Sequence, residues 1–387
     1  MVLSMTTWFA AAAVLSELRA EFDLSRVGGS WLTIAVQIGF VLGAVVSSVF
    51  NVADLIAPRR LVLIGAVFAA TANLSLLIAP NAAAALVGRG FTGAGLALVY
   101  PPALKASATW FRSGRGVALG VMVGALTLGS ALPHLVSALG GVGWRATIVA
   151  TSVLTVLGGL IADRGARDGP HPFGRAEFDR RRILTVFTDR RLRLATLGYF
   201  GHMWELYAMW SWFGVFYLDL LERRGTADAT RWASVATFLV IGAGTLGSWL
   251  GGRISDRKGR EWAAGSAMTF SGFIAVFIGF LVDAPPILVV VLGVFWGFWV
   301  IADSAQFSTI VSEIADQESV GTALTTQLAS GFVLTVLTIF LVPVIEGRWG
   351  WGWAFLLLAP GPVAGTWAMV RLSSLNAAYP DTTPASA

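Results

Sequence analysis

The sequence has no cysteine and only three histidines in 387 residues. The first absence excludes a disulfide framework, a thiolate nucleophile and a cysteine-ligated zinc. The second leaves too few imidazoles for a histidine-built metal cluster. Charge is scarce too. Asp, Glu, Lys and Arg make up 13% of the chain, against about a quarter in an ordinary soluble protein. That deficit excludes a disordered chain, a coiled coil and the common run of soluble enzymes. There is no G-x-x-x-x-G-K-[ST] phosphate loop, so ATP-driven transport by this chain alone is not expected. There is no G-x-S-x-G nucleophile elbow either. Neither a catalytic role nor a cofactor or metal is expected.

What the chain has in plenty is apolar. It is 56% hydrophobic, with a mean hydropathy of +0.73. Apolar stretches near 20 residues recur along its whole length, the signature of a polytopic membrane protein. Twelve helical spans follow from the hydropathy pattern: 2–19, 30–50, 61–79, 82–110, 115–138, 145–162, 192–218, 231–252, 261–282, 286–308, 320–343 and 349–371. The first starts at Met1 with no positive region before it, so a membrane helix is expected there rather than a signal peptide. Only one connection is long. Residues 163–191 hold eight arginines with Pro170 and Pro172 and are expected to be a solvated linker. A nucleic-acid arm is the remote alternative. The division is therefore a half at 1–162, the linker at 163–191, a half at 192–372, and a polar, disordered tail at 373–387.

The net charge of +5 concerns topology. With the linker placed inside, about 19 of the 27 basic residues fall on the same side. That bias sets both termini in the cytoplasm, as expected for a multi-pass protein of a bacterial cytoplasmic membrane. The chain also repeats. Gly116-Val117-Ala118-Leu119 parallels Gly321-Thr322-Ala323-Leu324, Gly143-Trp144 parallels Gly352-Trp353, and Asp54 parallels Asp256. The offsets are 205, 209 and 202 residues, about half the chain, at matching span numbers. Two six-helix halves in the same orientation follow.

These features resemble the major facilitator superfamily over essentially the whole chain. The sharpest match is Gly251-Gly252-Arg253-Ile254-Ser255-Asp256-Arg257-Lys258-Gly259-Arg260, which is similar to the superfamily's G-x-x-x-D-R-x-G-R motif between spans eight and nine. Gly252 and Gly259 allow close approach. Asp256 can cap a helix or pair with arginine. Arg257 and Arg260 hold the loop at the anionic leaflet. The N-terminal copy keeps Asp54, Arg59 and Arg60 but has lost the glycines. The resemblance places Asp54 in a gate between the halves. It implies an all-α membrane bundle that moves a small-molecule substrate by alternating access within the bilayer. No nucleic-acid partner is expected, and the chain is expected to function as a monomer.

Several polar residues inside the spans are candidates for substrate or proton handling. Gly88-Arg89-Gly90-Phe91-Thr92-Gly93 resembles the superfamily's fourth-helix R-x-x-Q-G pattern, with Thr92 in place of glutamine. An arginine at a helix centre costs about 2.5–3.5 kcal/mol on insertion scales. Arg89 is expected to meet a carboxylate or an anionic substrate; the alternative is outward snorkelling. Tyr100-Pro101-Pro102 should break span four, because proline removes backbone donors. Lys105 beyond it faces either the cavity or the inner interface. In span five, Pro133 follows Gly129 without a Gly-Pro pair, a departure from the superfamily's drug-antiporter motif. His134 beside it is either functional or a satisfied core residue. In span seven, His202 and Glu205 are three apart and share a helix face. A carboxylate out of water beside a histidine suits proton coupling; a static bridge is the alternative. Asp303 and Gln306 share a face of span ten, and Asp303 is expected to pair with Arg89 or to act as a second titratable site. Gln37, Asn73 and Gln327 complete the polar set. The expected function is proton-coupled movement of a small solute. An organic or inorganic anion is favoured by Arg89, His134 and Lys105. Export of amphipathic or cationic compounds, and a non-transporting receptor or scaffold, remain open.

Overall fold

The computed structural model describes residues 1–50, 52–111, 115–140, 143–167, 169–170, 183–316 and 320–378. Those residues are almost entirely helical: α1 (Ala10–Ala13), α2 (Leu15–Glu21), α3 (Arg26–Val49), α4 (Val52–Leu55), α5 (Pro58–Leu74), α6 (Ala82–Ala97), α7 (Tyr100–Ala108), α8 (Arg115–Gly140), α9 (Trp144–Gly165), α10 (Thr185–Thr188), α11 (Arg190–Arg223), α12 (Ala229–Lys258), α13 (Arg260–Phe277), α14 (Pro286–Trp299), α15 (Ser304–Ile314), α16 (Val320–Trp349), α17 (Trp351–Leu356) and α18 (Pro360–Ala378). Ten stretches are long and apolar enough to cross a membrane by themselves. The other two spans of the twelve are the broken segment ending in α2, and α11, whose 34 residues carry Trp, Tyr, His and Glu in the middle.

Four spans are less continuous than the hydropathy pattern suggested. Span one is a short 3-10 turn at Leu3–Met5, a non-helical stretch, then α1 and α2. Span four breaks between α6 and α7, immediately before Tyr100-Pro101-Pro102, as the prolines require. Span ten breaks between α14 and α15 with no proline at the break. It is the counterpart of span four in the second half. Span twelve divides into α17 and α18, and α18 runs to Ala378. The tail expected from 373 is thus helical through 378, and 379–387 lie outside the described residues. Of the segment 163–191, expected to be a solvated linker, residues 168 and 171–182 lie outside them as well, and the described remainder includes the end of α9, the short helix α10 and the start of α11.

The halves are built alike. In the first, α3 packs on α6 and α5 on α9; in the second, α12 packs on α14 and α13 on α18. Glycines set the closest of these approaches, since a backbone without Cβ lets helices touch. At Gly39 a methyl group would strike the carbonyl of Gly90, and at Gly93 that of Val36. In the second half, Gly247 and Gly297 lie in the same way against the carbonyls of Phe298 and Val240. We expect Gly93→Val to destabilise the purified protein by about 1–3 kcal/mol or more, seen as a lowered Tm. Gly242→Ala, where nothing lies within 4 Å, should leave Tm unchanged or slightly raised. The halves meet along two seams, α8 on α12 and α3 on α16. The outer faces carry the exposed apolar side chains, among them Trp31, Trp232, Trp353 and Trp262. Tryptophans of this kind suit membrane–water interfaces.

Candidate functional site

Three polar clusters lie inside or between the halves. The first surrounds Arg89, about two turns into span four and fully buried. Its Nε donates to the Leu32 carbonyl at 3.2 Å. Nη1 donates to the Thr7 carbonyl at 3.1 Å and Asn73 Oδ1 at 2.8 Å, and Nη2 to the Trp8 carbonyl at 2.7 Å. Thr7 and Trp8 belong to the non-helical stretch of span one. The guanidinium fork therefore ties that break to spans two and three. Arg89 was expected to meet a carboxylate or an anionic substrate; among the described residues it is paired with no carboxylate. Its acceptors are neutral, because the broken turn offers carbonyls where an intact helix would hide them.

The second cluster lies inside the other half. His202, Glu205 and Asp303 are each 1% exposed. His202 Nδ1 stands 2.7 Å from Asp303 Oδ1. Glu205 accepts from Trp296 Nε1 at 2.6 Å and from Ser271 Oγ at 2.8 Å. The sequence placed His202 with Glu205 on one face; the structure turns Glu205 toward α13 and α14 and His202 toward Asp303. The break before α15 sets Asp303 at the N-terminal end of that helix. Phe307 packs on both His202 and Tyr199, at centroid distances of 5.6 and 5.9 Å. Asp303, Gln306 and Phe307 share one helical face.

The third is a ring cluster that joins the halves at mid-depth. Trp8 packs on Phe40 at 4.8 Å, Phe332 at 5.7 Å and Tyr207 at 5.9 Å. Phe40 meets Phe332 at 4.7 Å. Phe9 and Tyr207 both pack on Trp210. Tyr100 begins α7, directly after the break in span four. Gln37, one turn from Phe40, is buried, as are Gln306, Gln327 and His134. Lys105 lies half-buried in α7.

Each end of the bundle carries a polar clasp across a seam. At the end bearing the basic loops, Asp256 Oδ2 accepts from the Val117 backbone N–H at 3.2 Å, near the N-terminus of α8. Arg260 donates to Asp256 at 2.7 Å and lies 3.3 Å from Glu313. A methyl at Gly252 would strike the Gly116 carbonyl. Arg257 and Gly259 are exposed, and Gly259 has φ +94°, which favours glycine. Arg59 and Arg60 are exposed at the start of α5; Asp54 lies in α4, with its side chain outside those described. At the opposite end, Arg26 bonds Asp219 at 2.7 and 3.1 Å and Glu346 at 3.1 Å. Trp351 Nε1 also donates to Asp219 at 2.9 Å. Sequence reasoning missed this second clasp. Its signal was three charges at the ends of spans on the side poor in charge.

Two repeated six-helix halves, clasped at both ends around a buried polar and aromatic centre, define a secondary transporter of the alternating-access type. The family model described as Major Facilitator Superfamily matches residues 1–301, and the chain belongs to that superfamily. A solved structure, the proton:xylose symporter XylE bound to 6-bromo-6-deoxy-D-glucose, has the same fold. The TM-score is 0.70 at 15% identity, over 97% of this chain and 96% of that one. No curated protein matches the sequence. The family and the matched fold are those of transporters rather than enzymes.

Proposed function

We propose that this protein couples movement of a small solute to protons, with Glu205, Asp303 and His202 as the protonatable element. The observation that carries this reading is the second cluster. Three titratable side chains lie out of contact with water, and no lysine or arginine is paired with either carboxyl among the described residues. Intramembrane ionisable groups mark ion and proton paths because they are costly to keep there. Proton coupling in the matched symporter agrees with this. The basic bias places the Asp256 clasp at the cytoplasmic face and the Arg26 clasp outside. The linker at 163–191 joins the halves inside, and the functional unit is a monomer.

Arg89 is spent on neutral acceptors, so the case for an anionic substrate rests on His134 and Lys105. The test is proton movement in liposomes holding purified protein and an internal pH dye. Solute-dependent acidification or alkalinisation is expected in wild type. In Glu205→Gln it should fall at least about tenfold, since the variant keeps the shape and loses the proton site. Coupled movement at the wild-type rate in Glu205→Gln removes this residue from the mechanism. Binding without flux moves the protein to the receptor reading.

A further inference from the structure

We propose that the halves, on parting, open at the ring cluster a chamber that takes an uncharged solute with one flat apolar face and several hydrogen-bonding groups; this rests on the transport reading above. The wall is the ring cluster, formed from both halves, and rings of this kind stack on a flat face. The polar groups beside it are unpartnered within the protein. Gln37 and Gln306 lack partners at both amide atoms, Gln327 at its Nε2, and Trp8 and Trp210 at the indole N–H. Buried polar atoms left unpaired are rare, because each forfeits its hydration. Five such side chains around one centre are groups awaiting a ligand.

Their placement supports a shared site. On α3, Thr33, Gln37, Phe40 and Ala44 form one buried face, and Phe40 reaches Phe332 of the other half. On α16, Gln327 lies one turn from Gly331, against which the Tyr199 ring packs. On α15, Gln306 neighbours Phe307, which packs on that same Tyr199. Trp8 and Trp210 belong to the ring wall itself.

The charge follows from what is engaged elsewhere. Arg89 is held by carbonyls and Asn73 inside the first half, and Glu205 by Trp296 and Ser271 inside the second. Asp303 lies against His202. Amides and indoles face the solute beside the imidazole of His134, which is also unpartnered at Nε2, and none of these groups carries a fixed charge. A charged solute would lose its hydration there without gaining a counter-charge. An uncharged one with donors and acceptors would satisfy amides that both donate and accept.

The test uses two matched sets of probes: nicotinamide, nicotinate and N1-methylnicotinamide; and methyl glucoside, glucuronate and glucosamine. Binding to purified protein is read as the rise in Tm with probe concentration up to about 10 mM. At least one neutral probe should bind about tenfold tighter than both of its charged congeners. Gln37→Lys should reverse that order toward the anionic congener, and Gln327→Lys provides the same test from the other half. The Tm of each variant without probe reports whether it folds. Tighter binding of a charged congener to wild type overturns the proposal. Silence from all six overturns it too, because both neutral frames carry the face and groups the chamber would recognise. Failure of the transport reading is separable: neutral probes would then bind without any solute-dependent proton movement.

Discussion

Arg89→Met should cost the protein roughly 4 kcal/mol or more and, in most preparations, its fold. The figure comes from the acceptors left behind. Leu32, Thr7 and Trp8 carbonyls and Asn73 Oδ1 all receive from this one side chain. A buried acceptor stripped of its donor costs about 1–3 kcal/mol. Methionine keeps the length of the chain and supplies no donor. Thr7 and Trp8 would then sit in a break of span one without the donor that satisfies their carbonyls. Arg89→Lys should fall between, since an ammonium cannot reproduce the planar fork that reaches three spans. Yield and Tm in detergent are the measurements. The result separates two roles for the residue. A substrate-binding arginine would change apparent affinity at an unchanged Tm, and a wild-type Tm in Arg89→Met would sink the structural role assigned here.

The same residue shows how much of the molecule its sequence discloses. The cost of placing an arginine in a span is plain from sequence, because lipid penalises charge wherever the helix runs. Its partners are not, because three of the four are backbone carbonyls, which every residue has. The spans themselves were legible, since the bilayer imposes length and composition together. The break of span four was legible from Pro101 and Pro102. Its twin at residues 300–303 has no proline, and only the internal repeat could have suggested it. Glu205, His202 and Asp303 were each visible as misplaced charges. That Glu205 turns to Trp296 and Ser271 was hidden, because those contacts join residues 91 and 66 positions apart through packing. The Asp256 clasp was readable because a contiguous motif carries it. The Arg26 clasp joins residues 193 positions apart and has no motif.

Neutralising the Arg26 clasp should shift the protein toward opening at that end. Arg26 begins α3 in the first half, while Asp219 and Glu346 lie near the ends of α11 and α16 in the second. No separation of the halves at this end can keep all of these bonds. The three side chains are 28%, 18% and 16% exposed, so water screens them and a fully buried value does not apply. A bidentate arginine with a second carboxylate still exceeds a lone surface pair. About 1–2 kcal/mol is a fair scale, which corresponds to roughly a 5–30-fold change in the closed-to-open ratio. The chain has no cysteine, so a single introduced one reports without background. Thr33→Cys places it about two turns inward from Arg26, on the face that carries Gln37 and Phe40. A membrane-impermeant maleimide added from that side should label it about 5–30-fold faster when Asp219 is changed to Asn. Reversing both charges, Arg26→Asp with Asp219→Arg, should restore slow labelling. Asp256→Asn at the other end should have the opposite effect, because it frees α8 from α12 there and lets the protein populate the state open at the basic end. Equal labelling in wild type and Asp219→Asn would mean that the packed seams alone hold this end closed. A rise in labelling that charge reversal fails to correct would assign the effect to lost packing around Trp351 rather than to the ion pair.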